Sequence, residues 1–413
     1  MTALDADLAI VGAGPAGLAA ARAAADGGVR SVLVIDRDDA PGGLPRYCRH
    51  WGFGWGYTHR LESGPAFARR LLAALDPARV RILAATTVQA VAPDLILAIL
   101  GPGSGAARVR ARAVILATGI RERPRAARLV PGRRPERGVL TTGQLQQMVA
   151  RGVPLGGSRI VVVGTEHVAF SVLLTARHTA GAGHRVVAMV EAGERTQSYG
   201  AVAALARHGL GVPIHLGARV VDIAGDACVE SVTIEGPGGR TEIPCDAVVF
   251  AGDFVPDAPL ARASGVAVDP RTGGPEVDQL GRTSRTGVFA AGNLLRAVET
   301  SGVAAFEGAR AGAAAAAFLR GAIGWEASAP IALADPFSYL VPQRWSAGTG
   351  TLAALPPSLR VGADLAAARV VLSLDGQPLW QGRSRRLLRH RRIHLALDAL
   401  AGRSGAAQVD LAG

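Results

Sequence analysis

A short apolar run, Asp7 to Val11, gives way to glycines, then to an Ala-dense segment reaching about Ala25 and a second apolar run from Ser31 to Ile35. Short apolar runs bounded by glycine predict buried strands, and the longer segment between them predicts a helix. The helical period returns from Ala66 to Leu75, and Ala113 to Ala117 is another apolar strand, ending at Thr118 and Gly119. The order then recurs: a strand at Arg159–Val163, a helix from about Val168 to Ala180 and a strand at Arg185–Val190. Runs at Val220–Ala224, Val229–Glu235 and Thr241–Pro244, separated by turn residues, predict a β-meander, and Ala247–Ala251 predicts a further strand. Val288–Ala291 precedes a long Ala-rich helix from about Gly302 to Leu319, which belongs with the first unit. Beyond Gly324 the pattern changes to Pro-rich loops and a hairpin, Arg369–Leu374 and Pro378–Gln381 around Asp375-Gly376.

Alternating strands and helices predict an α/β protein of two Rossmann-like three-layer domains, the second inserted in the first. The expected bounds are 1–145 with 248–325 for the first domain, 155–247 for the second, and 330–413 for a C-terminal β-rich appendix. A length of 413 residues accommodates this division, and 53 glycines suit the many tight strand-to-helix turns.

Gly12-Ala13-Gly14-Pro15-Ala16-Gly17 follows the first strand and opens the first helix, and Asp36, next to Arg37, ends the second strand. The first glycine makes a tight turn, the second lets backbone approach a pyrophosphate, and the third lets helix pack on strand. The helix N-terminus offers that anion aligned amides, and an acid at the position of Asp36 accepts hydrogen bonds from a ribose. By itself this fingerprint serves FAD and NAD equally. In the second unit the corresponding turn reads Gly164-Thr165-Glu166-His167, with a carboxylate where the middle glycine is needed. Nicotinamide binding there is therefore doubtful. If it occurs, Glu191 after the next strand favours NADH over NADPH, because an acid repels a 2′-phosphate.

The formal charge of +12 comes from 45 basic residues, all arginine and scattered through the chain, so it forms no nucleic-acid-binding stripe. The densest basic run, Arg383 to Arg392, reads as a solvated strand edge, with a docking face for an acidic partner as the other reading. Cys48, Cys228 and Cys245 are too far apart for a CxxC pair or a four-thiolate framework, so neither dithiol chemistry nor a metal centre is expected. Asp5 and Asp7 interrupt any signal-peptide pattern and no apolar stretch reaches spanning length, so a cytoplasmic protein with no membrane span is expected. Five aromatic residues, Tyr47, Trp51, Phe53, Trp55 and Tyr57, fall close together, with His50 and His59 among them as candidate general bases. Cys48 reads as a small buried residue.

Residues 1 to about 320 resemble the pyridine nucleotide-disulfide oxidoreductase superfamily in its short, thioredoxin-reductase-like layout. The resemblance rests on the fingerprint, on Ala117-Thr118-Gly119, and on Thr283-Ser284-Arg285-Thr286-Gly287-Val288-Phe289-Ala290-Ala291-Gly292-Asn293, which is similar to the second FAD motif of that superfamily. It implies FAD as cofactor, with Asn293, where the family usually has Asp, on the ribityl chain. It also implies that Gly42-Gly43 lead the chain over the isoalloxazine and that the helix starting near Gly302 and Val303 points at the pyrimidine end. Within the superfamily, Gly42-Gly43-Leu44-Pro45-Arg46, Ala117 to Pro124 and Thr141 to Gln146 are similar to the FAD subunits of hydrogen cyanide synthases, opine oxidases and dye-linked proline dehydrogenases. Those proteins work with a second, amine-oxidising flavoprotein subunit, often with cysteine-ligated iron–sulfur clusters, for which this chain has no cysteines. The expected function is that of an FAD-dependent dehydrogenase or electron-transfer flavoprotein, working on a small amine or hydroxy compound or with a partner dehydrogenase. The alternatives are an NAD(P)H-dependent flavin reductase and a non-catalytic flavoprotein scaffold.

Overall fold

The computed structural model describes residues 3–412 apart from 104, 156, 179–182, 349–351 and 390. Five parallel strands form the centre of the first unit, in the spatial order Val80–Leu83, Val32–Ile35, Ala3–Val11, Gly105–Leu116 and Val288–Ala290. Ile10 lies between Val34 and Ile115, and Ile115 next to Phe289. Alternate residues of each strand face two separate cores. Leu8, Ile10, Val32 and Val34 pack under helices Pro15–Asp26 and Ser301–Leu319. Ala9, Val11, Leu33 and Ile35 pack under an antiparallel meander of Thr87–Val91, Ile96–Gly101 and the first half of Gly105–Leu116. Both faces are covered, which is why these strands read as continuous apolar runs.

The two helices lie unusually close. A Cβ on Gly308 would stand 2.0 Å from the Ala16 carbonyl oxygen, and one on Gly312 would stand 2.3 Å from that of Ala20. Small residues are therefore a packing requirement of this seam, a physical reason for its Ala and Gly content.

A second parallel sheet runs Val139–Thr141, Ala247–Phe250, Arg159–Val163, Arg185–Glu191 and Ile214–Leu216. Helices Thr142–Ala150 and His167–His178 cover one face, and the expected meander of Arg219–Ala224, Ser231–Gly236 and Gly239–Pro244 covers the other. Residues 179 and 180 of the expected helix lie outside the described residues. Thr141 caps its helix in a reciprocal box with Gln144.

The seams expected at 145 and 248 shift. Val139–Thr141 and Ala247–Phe250 both belong to the second sheet, in which Ala247–Phe250 is paired on both sides, and the helix Thr142–Ala150 covers that sheet. An apolar run announces a buried strand without saying which sheet buries it. The chain crosses between units through a two-stranded ribbon of Ile120–Glu122 and Phe254–Pro256. The meander strands at 87–101 are additional to the expected elements.

The C-terminal region is strand-rich, built on Ala329–Leu333, Ala407–Ala412, Leu365–Leu374 and Gln377–Gln381, with Phe337, Leu359, Leu372 and Val409 in a core of its own. The expected hairpin turns at Asp375 and Gly376, both at positive φ. Gln279 fastens this region to the first unit. Its side chain donates to the Ser346 carbonyl (2.5 Å) and accepts from the Ser346 amide (3.0 Å). Arg385–Leu387 of the basic run is an edge strand, whereas Arg391 and Arg392 turn inward. Among the described residues no helix is long and apolar enough to cross a membrane.

Candidate functional site

The first fingerprint forms a sharp turn whose glycines have separable reasons. Gly12 sits at φ 108°, and a Cβ there would lie 2.3 Å from the Ala117 carbonyl oxygen; a Cβ on Gly17 would lie 1.8 Å from that of Gly12. These two positions are closed to side chains by the protein's own backbone. Gly14 differs, because a Cβ there would meet only Gly43 Cα, at 4.0 Å. The space it would enter is open. Gly14 is also the N-cap of helix Pro15–Asp26 and supplies no side-chain cap, so the helix presents its first-turn amides to that space.

Four other segments converge on this turn. Asp36 accepts from the amides of Ala13 and Asp38, tying the end of the second strand to the fingerprint; burial pushes its carboxyl above the ordinary value, although both amides oppose that shift. Gly43, at φ 60°, passes directly over Gly14. Ala16, Ala117 and Ala304 form a small buried cluster, and a Cβ on Gly292 would meet the Ala16 methyl at 2.6 Å. Thr118 donates to the Asp257 carbonyl (2.7 Å), Gly119 lies at φ 78° with nothing within 4 Å of where its Cβ would be, and Arg37 pairs with Asp257 (3.2 Å).

Asn293 closes the late turn. Its Nδ2 donates to the Glu299 carbonyl (3.0 Å) and its Oδ1 accepts from the Glu299 amide (2.9 Å). An amide can do both, whereas a carboxylate could only accept. Helix Ser301–Leu319 then begins, with Thr300 capping the Val303 amide (3.5 Å). Gly302 is pressed against Gly56 of the aromatic loop, where a Cβ would lie 3.1 Å from the Gly56 nitrogen.

In that loop Trp51 and Trp55 are 66% and 65% exposed. His50 donates from Nδ1 to the Trp51 carbonyl (2.9 Å) and packs on Phe53, while His59 is exposed, with a left-handed φ of 55° at the end of the short helix Trp55–Thr58. Cys48 is buried, as expected. Its thiol donates to the Gln146 side-chain carbonyl (3.1 Å), and burial, with a smaller effect from the Glu122 carboxylate, pushes its pKa up to about 12. All three cysteines are free.

The second crevice is built alike and lined differently. Gly164 keeps the tight turn at φ 112°, with its would-be Cβ 2.9 Å from the Ala251 carbonyl oxygen. Glu166 is half-buried and accepts from the Asp253 amide (3.1 Å), its carboxylate lying against Gly252 just beyond strand Ala247–Phe250. Burial raises its pKa, opposed by the Asp253 amide and the nearby Arg128 guanidinium. Glu191 is buried, and chain donors converge on its carboxylate: the Thr165 hydroxyl (2.5 Å), the Gly193 amide (2.9 Å) and the Gln197 side chain (3.1 and 3.2 Å). Next to Gln197, Ser198 bonds His167 Nδ1 (2.8 Å), Tyr199 stacks on His167, and the Arg391 guanidinium of the C-terminal region lies 3.5 Å from the Tyr199 ring centroid.

Residues 6–308 match the family model described as Pyridine nucleotide-disulphide oxidoreductase. The chain belongs to that family. One of the opine oxidase subunits of Agrobacterium tumefaciens is 28% identical over 314 residues, covering 70% of this chain and 61% of that protein. Ferredoxin–NADP reductase of Saccharopolyspora erythraea is 31% identical over 301 residues, covering 70% of this chain and 85% of that protein. Among solved structures, thioredoxin reductase of T. acidophilum superposes with a TM-score of 0.60 at 21% identity, covering 76% of this chain and 98% of that one. L-proline dehydrogenase of P. horikoshii gives 0.54 at 19%, covering 75% and 55%. The two structures share the fold, and the chain spans about three fifths of the opine oxidase subunits it matches.

Like other pyridine nucleotide-disulphide oxidoreductases, the chain is an FAD-dependent oxidoreductase. The residues present fit the cofactor: open space beside Gly14, uncapped helix amides facing it and an acidic residue at the end of the second strand. When bound, FAD supplies the two-electron and one-electron transfer chemistry that the protein's side chains lack. The fold brings Gly12, Gly14, Pro15, Ala16, Gly17, Asp36, Gly43, Ala117 to Gly119 and Gly292 together. Sequence reasoning missed Gln197, Tyr199 and Arg391, whose roles depend on how a polar loop folds back, and it missed the grip of Glu299 on Asn293.

Proposed function

We propose that this chain is the FAD-bearing component of an oxidoreductase that exchanges electrons with a partner dehydrogenase subunit, or with a small amine or hydroxy compound, and uses neither NAD(P)H nor a redox disulfide. The single observation that carries the reading is the filled second crevice. A pyrophosphate there would meet the Glu166 carboxylate, and a ribose would have to displace Thr165, Gly193 and Gln197 from Glu191. Like charges at about 4 Å cost on the order of 4 kcal/mol at intermediate dielectric, roughly a thousandfold in affinity. A buried thiol pushed up to about 12 carries no thiolate at neutral pH, which supports the absence of dithiol chemistry.

Support for a protein partner comes from the exposed Trp51 and Trp55, large apolar side chains of the loop whose Gly56 packs on Gly302 at the start of the late helix. The opine oxidase and sarcosine oxidase relatives are themselves subunits of larger enzymes by name. For a small-molecule donor, His50, whose Nδ1 bonds the Trp51 carbonyl, is one candidate base. His59 remains the second candidate.

The relation to ferredoxin–NADP reductase favours one rival reading, an NAD(P)H-dependent flavin reductase. Anaerobic titration separates the two. The holoprotein is expected to keep its oxidised flavin spectrum under excess NADH or NADPH while still being reduced photochemically. Rapid bleaching by either nucleotide overturns the proposal in favour of the rival.

A further inference from the structure

The family match ends at residue 308, yet the β-rich region beyond Gly324 sends polar side chains back into the first unit. From strand Ser358–Val361, the Ser358 hydroxyl and Arg360 Nη2 both donate to Glu299 Oε1, at 2.9 and 3.0 Å. The Glu299 side chain is only 9% exposed. Burial would raise its pKa, but the guanidiniums of Arg296, Arg360 and Arg392 outweigh that and hold it below the ordinary value. A buried carboxylate so surrounded is fixed in place, because moving it would strand both it and its partners.

The main chain of the same residue carries the link onward, since the amide and carbonyl of Glu299 are the two partners of the Asn293 side chain. From the other side, Arg296 is fully buried, pairs with Glu307 of the late helix (2.9 Å) and donates to the Gly292 carbonyl (3.2 Å). The Gly292–Asn293 turn is thus gripped twice, once by its own helix and once by the C-terminal region.

We propose that Arg360 and Ser358 are positioning residues for FAD: through Glu299 they fix the Gly292–Asn293 turn, which packs on Ala16 at the start of the fingerprint helix, and this makes the C-terminal β-rich region a working part of the flavin site. This step rests on FAD binding at the first fingerprint. If it holds, linkage requires the converse, that FAD binding steadies strand Ser358–Val361.

The test uses the full chain. Arg360→Ala combined with Ser358→Ala is expected to weaken FAD binding on the order of tenfold, to shift the flavin midpoint potential, and to be largely rescued when position 360 carries Arg360→Lys instead. Unchanged affinity and potential in a folded double variant overturn the proposal. Should that variant fail to fold, hydrogen exchange on the unaltered protein decides. Amides of Ser358–Val361 are expected to exchange several-fold more slowly in FAD-reconstituted than in apoprotein, and equal rates overturn the proposal. A chain that takes up no FAD at all instead overturns the cofactor reading beneath it.

Discussion

The two dinucleotide units of this chain share a plan and differ in which of its glycines they keep. Each has a parallel sheet, a glycine turn into a helix and an acidic residue after the second strand. Gly12 and Gly164 survive in both units at nearly the same φ, 108° and 112°, because each turn would drive a Cβ into a carbonyl of the neighbouring strand. The glycine that exists for the ligand survives only in the first, as Gly14; its counterpart is Glu166. The acids differ too. Asp36 holds the backbone of its own turn, whereas the Thr165 hydroxyl of the turn and the Gln197 side chain of a folded-back loop converge on Glu191. On the proposed reading, in which the second crevice takes no nicotinamide, the fold has outlived its site. What the backbone requires is retained, and what only a ligand requires is free to change.

Substitutions that test this division should separate by the glycine they hit. Gly17→Ala places a methyl 1.8 Å from the Gly12 carbonyl oxygen, so a loss above about 3 kcal/mol and of bound flavin is expected, read by calorimetry and visible absorbance. Gly164→Ala should lower Tm through the second unit while leaving the flavin spectrum in place. If both variants lose flavin equally, the two units are not independent in the way their sites imply.

Gly14→Ala is the sharper contrast. Its methyl meets no protein atom closer than 4.0 Å, so Tm of the apoprotein should move by no more than about 2 °C while FAD affinity falls about tenfold or more. In the second unit the mirror change, Glu166→Gly, should increase NADH affinity at least about tenfold by removing the opposing carboxylate. No gain would mean that the Glu191–Gln197 closure alone excludes the nucleotide.

Smaller effects are expected where the chain is chemically quiet. With its thiol pushed up to about 12, Cys48 should resist alkylation in the native protein at pH 8 and react only after unfolding. Asp246 accepts from the Ser158 and Arg159 amides and the Arg159 guanidinium (2.8–2.9 Å), which hold its carboxyl well below the usual carboxylate range. Its folded pKa is depressed, so its stabilisation is present above the unfolded value near 4 and is lost as pH falls through the folded value. Because the ion pair is partly solvated, Asp246→Asn should flatten the acid side of the stability curve by less than about 1 kcal/mol.

What could be read from the sequence follows from how local each feature is. The first fingerprint and Asp36 were legible because one strand–turn–helix–strand carries them in order, and strand ends fell within a few residues of expectation. Ala247–Phe250 could not be allotted to its sheet, since an apolar run is the same on either side of a domain seam. The meander at 87–101 went unread because a continuous apolar stretch such as Ile96–Leu100 has no period to distinguish it. Glu166 could be recognised as an obstacle from its position alone. The convergence on Glu191 and the link from Arg360 to Asn293 could not, because they join residues far apart in sequence through side-chain orientations that no pattern encodes.

Equilibrium dialysis of the full chain against FAD together with NADH or NADPH tests the contrast between the two units most directly. One flavin and no nicotinamide per chain is expected. A chain that binds no flavin, or that binds a nicotinamide alongside it at micromolar concentration, would contradict the division of roles drawn from Gly14 and Glu166.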